Sequence, residues 1–303
     1  MTPLTPDLEP TRPAPGRPPT STSVVMPVRN GGPWLAEQLT SLVAQTHTGK
    51  WELIMVDNGS TDDTVAVAES FADRIDLKVV PAHEQAGINY ARNTGIAASV
   101  GELIVHCDAD DIAEPGWLDA LVTAAADHHL VGGRLDEEIL NQGQDVWRPR
   151  VPTDRLHQLD WLPFVIGANL AVWREALDAV GGWNEEFVGG NDDLDLSFRI
   201  QLDGWRIGYC SDAVIQYRHR AGLGALFRQF RNYGRMDPLL HRDFRAAGHP
   251  PSTVPSALKR YVCLVLGIPS LARGPEARGE WTHTLAFTLG RLEGSLKART
   301  LYL

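Results

Sequence analysis

The 303-residue chain predicts an α/β fold: a mostly parallel central sheet with helices on both faces, followed by a C-terminal helical extension. Three observations carry this. Short β-branched runs alternate with amphipathic helical patterns from Ser23 to about His128, which is how βα units read in sequence. Polar and acidic turns follow the runs, where the carboxyl ends of parallel strands gather ligands. From Leu223 onward the chain is mostly helical and basic.

The elements can be justified in order. Ser23–Val28 is a first strand running into the turn Arg29-Asn30-Gly31-Gly32. Pro33 opens a helix to about Gln45, with Leu35, Leu39, Leu42 and Val43 on one face. Leu53–Val56 is a second strand ending at Asp57-Asn58-Gly59-Ser60, where Ser60 or Thr61 can cap the next helix. Leu77–Val80 is a third strand, and Ala86–Ser99 a helix.

Next comes the stretch Gly101–Pro115, GELIVHCDADDIAEP. Leu103, Ile104 and Val105 read as a buried strand that ends in Asp108, Asp110 and Asp111. Crowded carboxylates repel one another and resist desolvation, and a hard divalent cation removes that penalty. A metal–diphosphate site is one reading. An acidic turn capping the helix from Pro115 to about His128 is the other.

Beyond Val131 the pattern changes. Val131–Leu140 reads as strand and turn, 141–160 as a loop-rich excursion, and Phe164–Val172 as a strand region around a small-residue break. Leu194, Phe198 and Leu202 share helical spacing, which puts Asp192 and Asp193 at a helix N-terminus, where carboxylates are favoured by the dipole. Trp205–Tyr209 and Ala213–Tyr217 read as two short strands. The domain expectation is a disordered Pro/Thr-rich leader over 1–22, a body over 23–220 and a basic helical extension over 221–303.

Charge is unevenly placed. The net charge is −10, yet the chain from Arg218 to its end holds 14 basic and 5 acidic residues, leaving −19 on the rest. An acidic body suits a metal-assisted site, and a basic tail suits either an anionic partner or a solvated face. Arg228, Arg231 and Arg235 share a helix face that fits a lipid-linked acceptor, an anionic membrane surface, a second subunit or plain solvent. Cys107, Cys210 and Cys263 have no metal-ligand or CxxC spacing, which suggests a reducing compartment. No secretory pattern is visible, and the longest apolar run, Tyr261–Ala272, is too short to span a bilayer. The expected location is therefore cytoplasmic, with peripheral contact at the inner membrane face as an option. A GxGxxG or GxxxxGK[ST] motif is missing, so a dinucleotide site or P-loop is unsupported. Nucleic acid is not an expected partner.

Taken together, VVMPVRNGGPWLAEQLTSLVAQT, ELIMVDNGSTDDT, GINYARNTGIAASVGELIVHCDADD and GGWNEEFVGGNDDLDLSFRIQLDGW resemble the inverting family 2 glycosyltransferases of GT-A fold, over about Ser23 to Arg220. The resemblance implies a nucleotide pocket lined by Pro27, Val28 and Asn30, with Arg29 near base or phosphates. Asp57 would contact the base, with Asn58 shaping its turn. Asn89 and Arg92 would lie beside the nucleotide, Arg92 pairing with a phosphate or holding Asp57, a structural ion pair being the other reading for Arg92. Asp108, Ala109 and Asp110 would be the DxD, with Asp110 the metal ligand, Asp108 facing the ribose or sugar, and Asp111 a further candidate.

Asp193 matches the family's general base. Its neighbour is Asp192 where the family has Glu, which puts an acceptor contact from that position in doubt. His219 is the nearest match to a metal-coordinating His, with Gln216 the competing register and a basic surface turn with Arg218 and Arg220 the other reading. Trp161, Trp183 and Asn169 are acceptor candidates, core packing being the other reading for the tryptophans. The implied chemistry is transfer from a nucleoside-diphosphate sugar, a UDP-sugar favoured by Asp57, to a hydroxyl on a glycan, glycolipid or secondary metabolite, with Mn²⁺ or Mg²⁺. A non-catalytic nucleotide-sugar scaffold and a sugar nucleotidyltransferase are the competing classes.

Overall fold

The computed structural model describes residues 8–143 and 147–302; Met1–Asp7 of the expected leader and 144–146 of the expected excursion lie outside it. Strands β1 (Thr22–Val28), β2 (Trp51–Asp57), β3 (Leu77–Pro81) and β4 (Leu103–Cys107) alternate with helices α1 (Trp34–Val43), α2 (Thr64–Glu69) and α3 (Ile88–Ala98). Then come β5 (Ile112–Ala113), α4 (Trp117–Ala124), β6 (Leu130–Asp136), β7 (His157–Gln158), β8 (Pro163–Phe164) and β9 (Asn169–Trp173). Helices α5 (Arg174–Ala179) and α6 (Asp192–Leu202) precede β10 (Ile207–Gln216). The extension is α7 (Leu223–Phe244), α8 (Val254–Leu266) and α9 (Pro275–Lys297).

Eight strands form one sheet in the order β3-β2-β1-β4-β9-β6-β10-β5. β1 pairs in parallel with β2 and β4, β2 with β3, and β6 with β10. β9 runs antiparallel between β4 and β6, and β5 antiparallel on β10. Val24 and Val25 of β1 are both fully buried. Successive side chains point to opposite faces, so both faces of the sheet are covered. On one face α3 lies so close that a methyl group on Gly95 would sit 2.6 Å from Val25 and Val56.

Three expectations change. The chain over 8–21 is not a loose leader. It runs extended along the body: Thr11 and Arg12 donate backbone N–H groups to Gly204 O, Gly16 to Ala126 O, and Arg17 pairs with Glu102 at 2.9 Å. A Pro-rich segment has few ladder donors to satisfy, so docking by such scattered bonds is enough to order it. The two strands expected over Trp205–Tyr217 are one, β10, whose register on β6 shifts between Cys210 and Val214. The helix expected from Pro115 to about His128 is confined to α4, while Ile112–Ala113 is drawn onto the sheet edge.

The extension packs tightly. α7 and α9 approach backbone to backbone at Gly234, Gly290 and Gly294, where a Cβ would strike the carbonyls of Phe287, Arg231 and Arg235. Met236, Leu239, Leu240 and Phe244 of α7 share an apolar cluster with Trp161, Phe187, Leu194 and Phe198 of the body. Among the described residues no helix is long and apolar enough to cross a membrane.

Candidate active site

A cleft of about 400 Å³ opens at the carboxyl ends of β1, β2 and β4. Pro27, Val28, Arg29, Asn30, Asn58, Asp108, Ala109 and Asp110, all expected at the site, line it. Trp34, Ile88 and Arg220 are added by the structure. Asn30 takes a left-handed backbone (φ 54°), its N–H donating to Ser60 Oγ and its Oδ1 accepting from Thr61 N–H. That exchange ties the turn after β1 to the turn after β2. Asn58 closes the same wall by donating to Gln85 O and accepting from Gly87 N–H.

Asp57 lies just behind this wall, 3% exposed. Its Oδ1 accepts the Ser60 N–H at 3.0 Å and its Oδ2 lies 2.7 Å from His83 Nε2. Burial pulls its pKa up, but the Ser60 and His83 bonds outweigh burial and the net displacement is downward. Asp57 is therefore ionised and held by His83 rather than by Arg92, and it stands behind the cleft wall rather than among the residues that line it.

One oxygen from each of Asp108, Asp110 and Asp111 lies within 4.8 Å of the others, a grouping among the described residues suited to a cation. An octahedral ion with ~2.1 Å bonds spaces its oxygens by about 3–4 Å, so the set is slightly open for one. Burial first, then the charge of Asp110, pushes Asp108 up to about 6. Burial and the same two neighbours raise Asp111 well above the carboxylate range. Asp111 Oδ1 accepts the Arg218 N–H at 2.7 Å, whereas Oδ2 is buried with no hydrogen-bond partner. An orphaned buried carboxylate oxygen beside two others fits a hard divalent ion.

The acidic turn is held from two sides. Gln38, fully buried on α1, donates to Asp108 O and accepts from Ala113 N–H. Arg218 donates to Asp110 O at 2.9 Å, pairs with Glu37 at 2.6 Å and stacks on Trp34 at 3.9 Å. Neither residue was singled out from sequence. The available signal was a Gln on the apolar face of an otherwise leucine-lined helix.

Asp193 heads α6. Its Oδ2 accepts Gly167 N–H at 3.2 Å and its Oδ1 accepts Leu194 N–H at 3.0 Å. Burial, reinforced by Asp192, pushes it up to about 7. The charge of Asp192 also contributes, least among the named causes, to the rise of Asp108. The extension supports this corner. Asn191, left-handed at φ 58°, donates to Asp237 Oδ1 at 2.7 Å, and Asp237 pairs with Arg291 of α9 at 2.7 Å.

Several expected residues lie elsewhere. Asn89 and Arg92 do not line the cleft. Asn89 donates to the carbonyls of Asn184 and Phe187. Arg92, 3% exposed, pairs with Asp192 at 2.5 Å, donates to Asn89 Oδ1 and Gly167 O, and lies 4.1 Å from the Trp183 ring. Trp183 in turn donates to His106 Nε2, whose Nδ1 meets Val25 O. Burial and the Arg92 charge push His106 down to about 3, so it is neutral and accepts from the indole. This chain of contacts carries the position of β1 to α6.

Asn169 accepts from Trp117 and donates to Arg134 O and Ala213 O, a core role rather than an acceptor contact. Trp161 packs against Phe198 and Phe244. His219 is not grouped with the three carboxylates: its Nε2 lies 3.3 Å from Glu137 and its N–H donates to Asn141 Oδ1. Gln216 is taken up by Glu114. The residue of this loop that reaches the cleft is Arg220.

The sheet order, the carboxyl-end cleft and the triple carboxylate define a GT-A-like nucleotide-sugar fold. The family model "Glycosyl transferase family 2" matches residues 23–181, and the chain belongs to that family. The Escherichia coli protein "Uncharacterized glycosyltransferase YibD" is 26% identical over 224 residues, covering 68% of this chain and 64% of that protein. The chain thus spans somewhat less than two thirds of that relative.

Among solved structures, the mannosyltransferase PcManGT from Pyrobaculum calidifontis, in complex with GDP-Man and Mn²⁺, superposes with a TM-score of 0.62 at 20% identity, covering 94% of this chain and 90% of that one. S. aureus TarS in complex with UDP gives 0.55 at 18% identity, covering 92% of each chain.

Proposed function

We propose that the protein is an inverting glycosyltransferase that moves a sugar from a nucleoside-diphosphate sugar to an acceptor hydroxyl. The observation that carries this is the pairing of two unlike acidic groups. Asp108, Asp110 and Asp111 are crowded at the donor cleft, while Asp193 stands apart with its pKa pushed to about 7. A carboxylate tuned near neutrality takes a proton from a hydroxyl at working pH and passes it on afterwards. Its Gly167 and Leu194 N–H bonds fix which lone pair faces the acceptor. The acceptor oxygen then attacks the anomeric carbon on the face opposite the diphosphate, and a single displacement inverts the centre.

Asp110, with Asp108 and Asp111, would hold Mn²⁺ or Mg²⁺, which when bound supplies positive charge to the diphosphate leaving group. Arg220 at the cleft would add a second cation for the phosphates, and Asp57 would accept from the base. A pyrimidine with an N–H opposite Asp57 favours a UDP-sugar, while relatives in fold bind both UDP and GDP-sugars. The acceptor is a glycan, glycolipid or secondary metabolite. The Arg228, Arg231 and Arg235 face is a weaker candidate for membrane contact than expected, since Arg231 pairs with Glu293 at 2.6 Å.

The test is incubation of the protein with a panel of nucleoside-diphosphate sugars and Mn²⁺, following release of the nucleoside diphosphate and the anomeric configuration of the product by NMR. Inverted product from one donor class supports the reading. Retained configuration, or pyrophosphate release from a sugar phosphate and a nucleoside triphosphate, would overturn it.

A further inference from the structure

Helix α8 carries a face that no described residue covers. At 3.6 residues per turn, Val254, Leu258, Val262, Val265 and Leu266 fall within an arc of about 120°. Their exposures are 75, 61, 45, 65 and 74%. Ile268, in the turn that follows, continues the strip at 54%. Soluble surfaces show single exposed aliphatics routinely, but a contiguous strip of six marks a contact surface.

The strip is held outward by the helix's other side. Ala257 and Leu264 are buried, and Trp281 of α9 donates its indole N–H to Leu264 O at 2.9 Å. Thr253 caps the helix by accepting from Ser256 N–H. The helix is therefore seated and oriented without the strip.

Charge identifies what the strip meets. Between Asp243 and Glu276 the chain has no carboxylate side chain, and it holds Arg245, Lys259, Arg260 and Arg273. Lys259 borders the apolar arc and Arg273 ends the turn after it, both exposed. We propose that α8 and the following turn lie on an anionic lipid bilayer, the strip entering the headgroup–acyl boundary and Lys259 and Arg273 meeting lipid phosphates.

A second copy of the chain fits less well. One convex helix offers much less than the ~800 Å² per partner of a stable interface. A symmetric contact would also bring like charges together with no carboxylate in the segment to pair them. The surface is independent of the donor-site reading, because the test below uses no nucleotide.

The experiment is sedimentation of the full chain with vesicles of neutral phosphatidylcholine, or of the same lipid mixed with phosphatidylglycerol. Each is run at low salt and at about 1 M salt, where charge contacts are screened. Three variants are compared: Leu258→Gln/Val265→Gln/Leu266→Gln, Lys259→Glu/Arg273→Glu, and the control Leu296→Gln, which alters an 83% exposed leucine on α9.

Wild type and control are expected to pellet with anionic vesicles at low salt. The triple variant should partition at least about tenfold less. The charge-reversal variant, which keeps the strip, should lose the preference for anionic lipid. All should keep the wild-type melting temperature, since every changed side chain is exposed. Wild type remaining in solution with anionic vesicles, or the triple variant pelleting equally well, would overturn the proposal. A concentration-dependent dimer in sedimentation velocity, dissociated by the triple variant, would give the face to a second copy instead.

Discussion

Replacing Arg92 by Met tests how the base corner is built. Arg92 and Asp192 form a pair whose side chains are 4 and 12% exposed, 2.5 Å apart. Met keeps the stem against Trp183 but leaves Asp192 without its cation and Gly167 O without its donor. Breaking a buried pair by removing one partner costs about 3–5 kcal/mol, chiefly because a desolvated charge is stranded. For a chain of this size that lowers the melting temperature by roughly 6–10 °C.

Asp192→Asn removes the stranded charge, so the double variant should recover part of the loss. The interaction energy in a urea-denaturation cycle is expected at about 1–3 kcal/mol. Turnover in Arg92→Met should also fall by at least tenfold, because Asp193 directly follows Asp192, the partner of Arg92. Additivity of the two single variants within about 0.5 kcal/mol would refute the pairing as the element that holds this corner.

Four further outcomes follow, three from the site and one from the packing beneath it. Asp193, displaced to about 7, must be ionised to act, so kcat/KM should rise with slope one below pH 7 and level above it. Asp193→Asn should lose about 10²–10⁴ in kcat while binding nucleotide unchanged, as competition binding will show. Asp108 is raised to about 6, and Asp111 is raised well above the ordinary carboxylate value, both chiefly by burial. The stability that protonated Asp108 contributes without metal is full below the ordinary carboxylate pKa and is lost as pH rises through about 6, and Asp111 acts in the same direction. Mn²⁺ should therefore raise the melting temperature more at pH 8 than at pH 5.5 and release protons on binding, measurable by calorimetry in buffers of different ionisation enthalpy. Gly95→Ala forces a methyl into Val25 and Val56 and should cost about 1–3 kcal/mol in chemical denaturation, with no change in metal response.

The parts of this molecule that were legible in sequence are those specified locally. β-branched runs followed by polar turns gave β1 to β4, and the DADD cluster stood out because packing alone does not put three carboxylates after a buried strand. Asn89 and Arg92 were ambiguous for the opposite reason: a nucleotide contact and, for Arg92, a structural ion pair both stayed open, and the structure shows the ion pair. Their partners, Asn184 and Asp192, arrive from across the fold, and nothing on α3 itself marks them. Gln38 was passed over because a polar residue on an apolar helix face reveals its purpose only once Asp108 and Ala113 come beside it. In the 217–220 loop, sequence left a metal-binding His219 and a basic turn with Arg218 and Arg220 both open, and geometry puts Arg220 at the cleft. The choice depends on how β10 bulges, and a register shift leaves no sequence mark there.

The most direct measurement is calorimetric titration of UDP and GDP into the protein with Mn²⁺, repeated with EDTA and on Asp110→Ala. Metal-dependent binding of a nucleoside diphosphate, lost in the variant and in EDTA, is the expected result. Absence of binding for every nucleoside diphosphate in the presence of Mn²⁺, or binding that Asp110→Ala leaves intact, would contradict the assignment of the cleft as a donor site built on the three carboxylates.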